Sequence, residues 1–345
     1  MRRLRSALSA ALVITLAASA PASAADTVVA QLLRPSTIKN HADIQVFSAF
    51  EGGAYRLAIR RQGQIELLPV APSQAPFDVD IGTDGQGRPQ LIYTRCKVER
   101  ASVDDGKNDS RGCDLFLLSL AGGGSERPVR NANTSANEFA PTLWKGRIAF
   151  ARSVTGRARP VVYTTELAAP RSRPSQRLPG VPQRARGTRT TDGGIGELEL
   201  YGDKLAQIVS FQAEGQLSEV RLVDTSNRAT RRLSRVGLGE GGQYFTGLGF
   251  AGGHLAWAFD RVGGSPILPG IYRYRLATRA LARAATPRIV DFQIAGLALF
   301  APDGAYVIDT QLQSGGCGEV NNDPAVPRQC QLIRSTPLSF RPFSR

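Results

Sequence analysis

Apolar and polar residues alternate with a period of two along nearly the whole chain beyond residue 24, in short runs separated by turns rich in Gly and Asp. Such alternation is the pattern of β-strands, and no segment after residue 24 sustains a helical period. The clearest unit is Glu138 to Arg152, EFAPTLWKGRIAFAR. It predicts a strand, a tight Lys145–Gly146 turn and a second strand. The second strand recurs as Gly87–Thr94, Gly146–Ala151, Asp203–Ser210, Gly253–Phe259 and Gly304–Asp309. The first four copies are each followed by a further strand, at Asp114–Leu120, Val161–Leu167, Glu219–Asp224 and Gly270–Leu276. Short outer partners are predicted at Glu126–Val129, Thr230–Leu233 and Ala280–Arg283, and Cys330–Ser335 follows the fifth copy.

Four strands per repeat, at a period of roughly 45 to 60 residues, is the signature of propeller blades. The expected fold is therefore all-β, a β-propeller of six blades, with five or seven as alternatives. Blades 2 to 6 start near Phe77, Phe139, Ile195, Phe245 and Val290. Residues 41–70 make a less regular first blade that lacks one strand. The segment Leu338–Phe343 is expected to supply it and close the ring, since closure removes exposed sheet edges. Residues 25–40 read as an N-terminal lead-in, and 41–345 as one propeller domain.

The pattern Phe-x-Pro-x-Leu/Trp-x-x-Gly-Arg-Ile-Ala-Phe over 139–150, with Ala301-Pro-Asp-Gly304 as a partial copy, resembles the repeats of TolB-like (WD-type) β-propellers. That family's repeat has Ser-Pro-Asp-Gly before an Ile-Ala-Phe strand. The resemblance covers about 75 to 340 as a repeat pattern and implies the fold. The additional N-terminal α/β domain of TolB proteins has no counterpart here.

Residues 1–24 have the layout of a secretory signal peptide: Arg2, Arg3 and Arg5, then the apolar run Ala7–Ala18, then Ala22-Ser-Ala24. The apolar run is too short to span a bilayer, and no later stretch is long enough. The expectation is a secreted product, outside the cell or at its envelope, monomeric and without a membrane span. Loss of the three signal arginines takes the formal charge from +14 to +11. Abundant Arg, Ala, Gly and Pro beside few Lys suggests a GC-rich coding sequence, as in actinobacteria. An exported basic protein without base-stacking aromatics in its basic stretch points away from nucleic acid and towards an anionic envelope polymer or another protein.

Four cysteines allow three pairings. The local one, Cys96–Cys113 and Cys317–Cys330, ties the necks of two equivalent loops and is the expected use in an exported protein. Neither pair has Cys-x-x-Cys spacing or a nearby His, so redox and metal roles are not indicated.

Candidate chemistry is sparse. His41 and His254 have no Gly-x-Ser-x-Gly elbow or other nucleophile signature beside them. No catalytic residue is assigned. The loop Asp104–Asp109 is oxygen-rich but lacks EF-hand order, and reads as solvated, with Ca²⁺ the ion it would admit. Aligning the innermost strands on Ile81, Leu143, Leu200 and Phe250 places Asp78, Asp80, Glu197 and Glu199 on one alternate set, expected to face a wet central channel without a specific task. The Arg/Pro stretch 170–191 carries Arg184, Arg186 and Arg189, suited to gripping phosphate or carboxylate. These seven residues are the candidate ligand-binding set. In a simple meander the second-to-third connections and the crossovers share one face, so all the long segments are expected there, as a basic rim around an acidic centre. The expectation is a non-enzymatic binding or scaffold protein. The alternative is a hydrolase or lyase using an acid-lined channel with a divalent cation.

Overall fold

The computed structural model describes residues 26–33, 36–98, 111–122, 124–153, 159–170, 172–181, 184–185, 188–189, 193–211, 217–237, 243–261, 270–284, 294–309, 330–336 and 338–342. Their strands form six antiparallel sheets arranged as the blades of a propeller, with one further two-stranded sheet. Blade 1 is Ile38–His41, Ile44–Glu51, Ala54–Arg61 and Gln64–Leu67, and blade 2 is Val79–Thr83, Pro89–Val98, Arg111–Ser119 and Arg127–Pro128. Blade 3 is Asn137–Trp144, Arg147–Ser153, Val161–Glu166 and Gln176–Leu178, and blade 4 is Gly193–Tyr201, Lys204–Phe211, Leu217–Asp224 and Thr230–Gly237. Blade 5 starts with Gln243–Ala251, His254–Arg261, Gly270–Arg275 and Leu281–Ala284. Blade 6 starts with Ile294–Ala301, Gly304–Asp309 and Cys330–Ser335.

The two ends of the chain are used differently from the sequence expectation. Residues 25–40, read as a lead-in, supply two strands. Thr27–Leu32 pairs with Cys330–Ser335 as the outer strand of blade 6, and Ile38–His41 is the innermost strand of blade 1. Blade 1 therefore lacks nothing. Phe340–Pro342 does not complete it but adds a fifth strand to blade 5, against Leu281–Ala284. The physical reason is reach: Leu338 packs into the seam between blades 5 and 6, and its amide donates to Asp303 O, which aims the terminus at blade 5.

Alternation along each strand sends side chains to both flanking blades, so the core lies in the seams. The buried apolar residues fall into six clusters, one per seam. Leu57 and Tyr93 meet between blades 1 and 2, Ile92 and Ile148 between 2 and 3, and Val162 and Leu205 between 3 and 4. Val220 and Trp257 meet between 4 and 5, Ile271 and Val307 between 5 and 6, and Ile308 and Phe47 between 6 and 1. Each fully buried side chain of this size contributes about 1.5–3 kcal/mol. The backbones of blades 5 and 6 approach each other closely. A Cβ on Gly247 would lie 2.3 Å from Leu297 N, and one on Gly249 2.4 Å from Leu299 N. Gly247 is also at φ 74°, beside a bulge in its strand, so glycine serves both the turn of the backbone and the close fit.

The short-turn face is laced from blade to blade. Gly146 N donates to Thr83 O at 2.7 Å, Arg147 Nη2 to Thr225 Oγ1 at 2.7 Å, and Arg273 Nη1 to Pro302 O at 2.7 Å. Trp144, Tyr201 and Phe250 pack in series across blades 3, 4 and 5, with ring centroids 4.3 and 5.3 Å apart.

Cys96 and Cys113 are bonded to each other, directly opposite in the paired strands of blade 2. Cys330 is also disulfide-bonded; its expected partner Cys317, the expected signal segment 1–24 and the loop Asp104–Asp109 lie outside the described residues. Among the described residues, no helix is long and apolar enough to cross a membrane.

Candidate functional site

The axis of the ring holds a charged cluster built from the innermost strands. Lys39, on blade 1, is 2% exposed. Its ammonium donates to Glu197 Oε1, to Glu199 Oε2 at 2.5 Å and to Leu248 O at 3.1 Å. The innermost strands contact one another in ring order, 1–2–3–4–5–6–1. Blades 1 and 4 are therefore opposite, and the lysine crosses the axis to reach the glutamates.

The remaining contacts run between neighbours. Asp78 Oδ2 accepts from Ala140 N at 3.2 Å, and Asp80 Oδ2 from Leu143 N at 2.7 Å. Thr142 Oγ1 accepts from Leu200 N at 2.9 Å, and Glu197 accepts from the Leu248 amide. Positions that alternate with the apolar set thus reach from each blade to the next: 2 to 3, 3 to 4, and 4 to 5. Gly247 and Gly249 occupy the same set in blade 5, where the backbone of blade 6 leaves no room for a side chain.

The sequence reading of these acids is corrected on two points. They do not line a wet channel: Asp80 is 3% exposed, and the glutamate side chains are mostly buried. They also have a base. Buried carboxylates repel one another unless a cation or hydrogen bonds compensate, and Lys39 is that cation. Its strand was missed because it is only four residues long, is polar at three of them, and precedes the first recognisable hairpin.

Burial by itself would depress the Lys39 ammonium, but Glu197, Glu199 and Asp80 outweigh it and hold its pKa above the ordinary lysine value. Burial raises Asp78, against the Ala140 amide, and raises Asp80, against Lys39 and the Leu143 amide. It also raises Glu197, against Lys39. Glu199 is pushed up to about 8, by burial first and then by the charges of Asp80 and Glu197, with Lys39 pulling the other way. Glu199 accordingly holds a proton at neutral pH. The Lys39 ammonium and the raised affinity of these carboxyls for protons both limit the buried charge.

The other candidates lie elsewhere. Arg184 and Arg189 face each other in a two-stranded hairpin, Arg184–Ala185 with Thr188–Arg189, within the crossover from blade 3 to blade 4. Arg186 lies outside the described residues. The structure does not bring this hairpin to the axial acids. His41 pairs with Ile44 across the Ala42–Asp43 turn, and His254 Nδ1 lies 3.0 Å from Gly252 O. Among the described residues, no group of three or more His, Cys, Asp or Glu is arranged to hold a metal ion. Sequence reasoning also missed Glu138, fully buried, which accepts from Arg152 Nε and Thr134 Oγ1, both at 2.7 Å. Its position before the apolar run gave no sign that Arg152, directly opposite in the register, would cover it.

These features define a class: a six-bladed β-propeller whose axis is closed by a lysine–carboxylate cluster. No family model matches the chain, and no curated protein matches it. Among solved structures it is similar to the Cps50 (Swd1) β-propeller domain of Myceliophteria thermophila, with 11% identity over 90% of this chain and 99% of that one, and a TM-score of 0.46.

Proposed function

We propose that the protein is an exported, non-enzymatic β-propeller that acts as a binding scaffold at the cell envelope or outside the cell. The observation that carries this reading is the occupancy of the axis. A channel that works on a substrate or a divalent cation needs carboxylates free to meet it. Here the place a cation would take is filled by the Lys39 ammonium, and the acids hold neighbouring blades through backbone amides. The acids thus rigidify the ring, and binding falls to its surface.

The proposed surface is the face from which the long connections leave, with the blade 3 to blade 4 crossover at its rim. A rigid scaffold that presents loops is a common arrangement for recognition. The basic crossover, with Arg184 paired to Arg189, suits an anionic polymer. The test compares Arg184, Arg186 and Arg189 to Glu with an equally charged set on the opposite face, Lys145, Arg228 and Arg279 to Glu. Lys145, Arg228 and Arg279 are exposed in turns, so the control set leaves the core untouched. Binding of the mature protein to isolated cell wall is measured at several salt concentrations. Loss from the crossover set alone supports the face; equal losses from both sets mean that only net charge matters.

A further inference from the structure

We infer that the seam between blades 3 and 4 carries an oxyanion-binding site formed by Arg221, Arg232 and Arg235. The inference deepens the binding reading above but rests on different residues.

The register builds the site. In the outer half of blade 4, Glu219 is directly opposite Arg235 and Arg221 is directly opposite Arg232, with a bulge at Val220/Arg221 that brings the two arginines of the edge strand onto one face. That face is turned to blade 3, since Leu205, Val209 and Val223, which alternate in step with Gln207, Glu219 and Arg221, belong to the blade 3–4 core. Glu219 is 2% exposed at its side chain. Its carboxylate receives Arg221 Nε at 2.7 Å, Arg232 Nη1 at 3.4 Å and Arg235 Nε at 3.7 Å.

Among the described residues the charge does not balance: three guanidiniums converge on one carboxylate, leaving two positive charges in surplus within a few ångströms. Like charges held together at a partly buried surface repel, and an anion relieves the repulsion. Each arginine contributes one nitrogen to the Glu219 contact, and a guanidinium has five N–H donors. Arg232 is half exposed at its side chain, so an incoming anion need not open the seam. Gln207 is fully buried beside Arg221; its Nε2 donates to Pro179 O at 2.8 Å, and its Oε1 has no hydrogen-bond partner among the described residues. Pro179 lies at the start of the crossover that carries the Arg184–Arg189 hairpin. The ligand class is an oxyanion, phosphate or carboxylate, gripped through charge-assisted hydrogen bonds.

The test is titration of the full mature protein with phosphate, sulfate and citrate, by calorimetry and by thermal shift, each against chloride at equal ionic strength. A saturable response to phosphate and sulfate alone assigns a tetrahedral oxyanion, and a response to citrate alone assigns a carboxylate. Arg232→Gln with Arg235→Gln should weaken the binding at least about tenfold. Arg130→Gln with Arg341→Gln, exposed arginines on other blades, should leave it unchanged. Glu219→Gln should lower the melting temperature in chloride and recover it in the bound anion, because the carboxylate and the ligand serve the same arginines. If the wild type shows no saturable response beyond chloride, or the Arg232/Arg235 variant keeps the full response, the arginines are a structural ion network and the inference fails. Oxyanion binding together with unchanged cell-wall binding in the crossover variants would leave this site standing and remove only the proposed face.

Discussion

Lys39 and Glu199 stand at the same position of the same hairpin in opposite blades, and the Lys39 ammonium donates to a Glu199 carboxyl oxygen 2.5 Å away on the axis. Lys39 is two residues before His41, which pairs with Ile44 across a two-residue turn. Glu199 is two residues before Tyr201, which pairs with Lys204 across another. Blades 2 to 5 carry Asp80, Thr142, Glu199 and Gly249 at the aligned position, and blade 1 carries a base there, so that the axial acids meet a cation across the diameter. Removing that base should be costly. Lys39→Met is expected to destabilise the protein by about 3–5 kcal/mol, the range for leaving a buried partner uncompensated. Lys39→Met combined with Glu197→Gln and Glu199→Gln should recover most of the loss. Urea unfolding of the three proteins checks both statements; a single-variant cost below about 1 kcal/mol would match a surface pair instead.

The same cluster sets a pH dependence. Glu199 has a folded pKa of about 8, raised from an ordinary carboxyl value near 4.5 in the unfolded chain. Between these values the native state holds a proton that the unfolded state has released, so stability falls as pH rises through this window. The contribution is fully present below the unfolded value and is gone above about 8. The melting temperature relative to that of Glu199→Gln, which mimics the protonated acid, should decline from pH 5 to pH 9. Parallel curves for the two proteins would assign the proton elsewhere.

The Cys96–Cys113 bridge spans 17 residues. Restricting a loop of that size in the unfolded chain is worth about 3 kcal/mol. Cys96→Ala with Cys113→Ala should therefore lower stability by about that much while leaving the blades intact, because the two residues remain opposite in a paired ladder. Peptide mapping without reductant should give Cys96–Cys113 and Cys317–Cys330. A Cys96–Cys317 peptide would contradict the blade assignment.

Deleting the two terminal strands should have unequal effects. Without Thr27–Leu32, the strand Cys330–Ser335 becomes an open edge beside the fully buried Leu332 and Ile333. Without Phe340–Pro342, blade 5 still has four strands, and the principal loss is the packing of Arg273 over Phe340, 3.8 Å from the ring centroid. The first deletion is expected to give aggregation or rapid proteolysis, the second a folded protein with a modest drop in melting temperature. Limited proteolysis with size-exclusion chromatography separates the two outcomes.

The fold was legible in the sequence where it depends on local pairing. Hairpins such as Asn137–Trp144 with Arg147–Ser153 carry their own turn and their own alternation. Thr27–Leu32 depends on a partner at the far end of the chain and Phe340–Pro342 on the outer strand of blade 5, and a strand as short as Ile38–His41 has no periodicity to read. Yet the information was there. Ala42 has φ 51° and Lys145 φ 45° at equivalent turn positions, and aligning the two turns would have put Lys39 in register with Thr142. The acids of the axis were located correctly by that kind of alignment, but their environment was not, because burial is a property of the assembled ring. The Glu219 arginines were invisible for a further reason: the bulge at Val220/Arg221 shifts the edge strand by one residue, which simple alternation cannot anticipate.

The pairing of Thr27–Leu32 with Cys330–Ser335 also orders events in time. Blades 1 to 4 can each form as soon as their own hairpins exist. The closing pair joins segments about 300 residues apart, and such distant contacts form slowly because the intervening chain must first be brought together. The first of the described strands therefore waits for almost the last of them. Until Cys330–Ser335 emerges, the nascent ring is a spiral with an unsatisfied edge at each end, and the lifetime of that spiral governs how much of the protein reaches its native state.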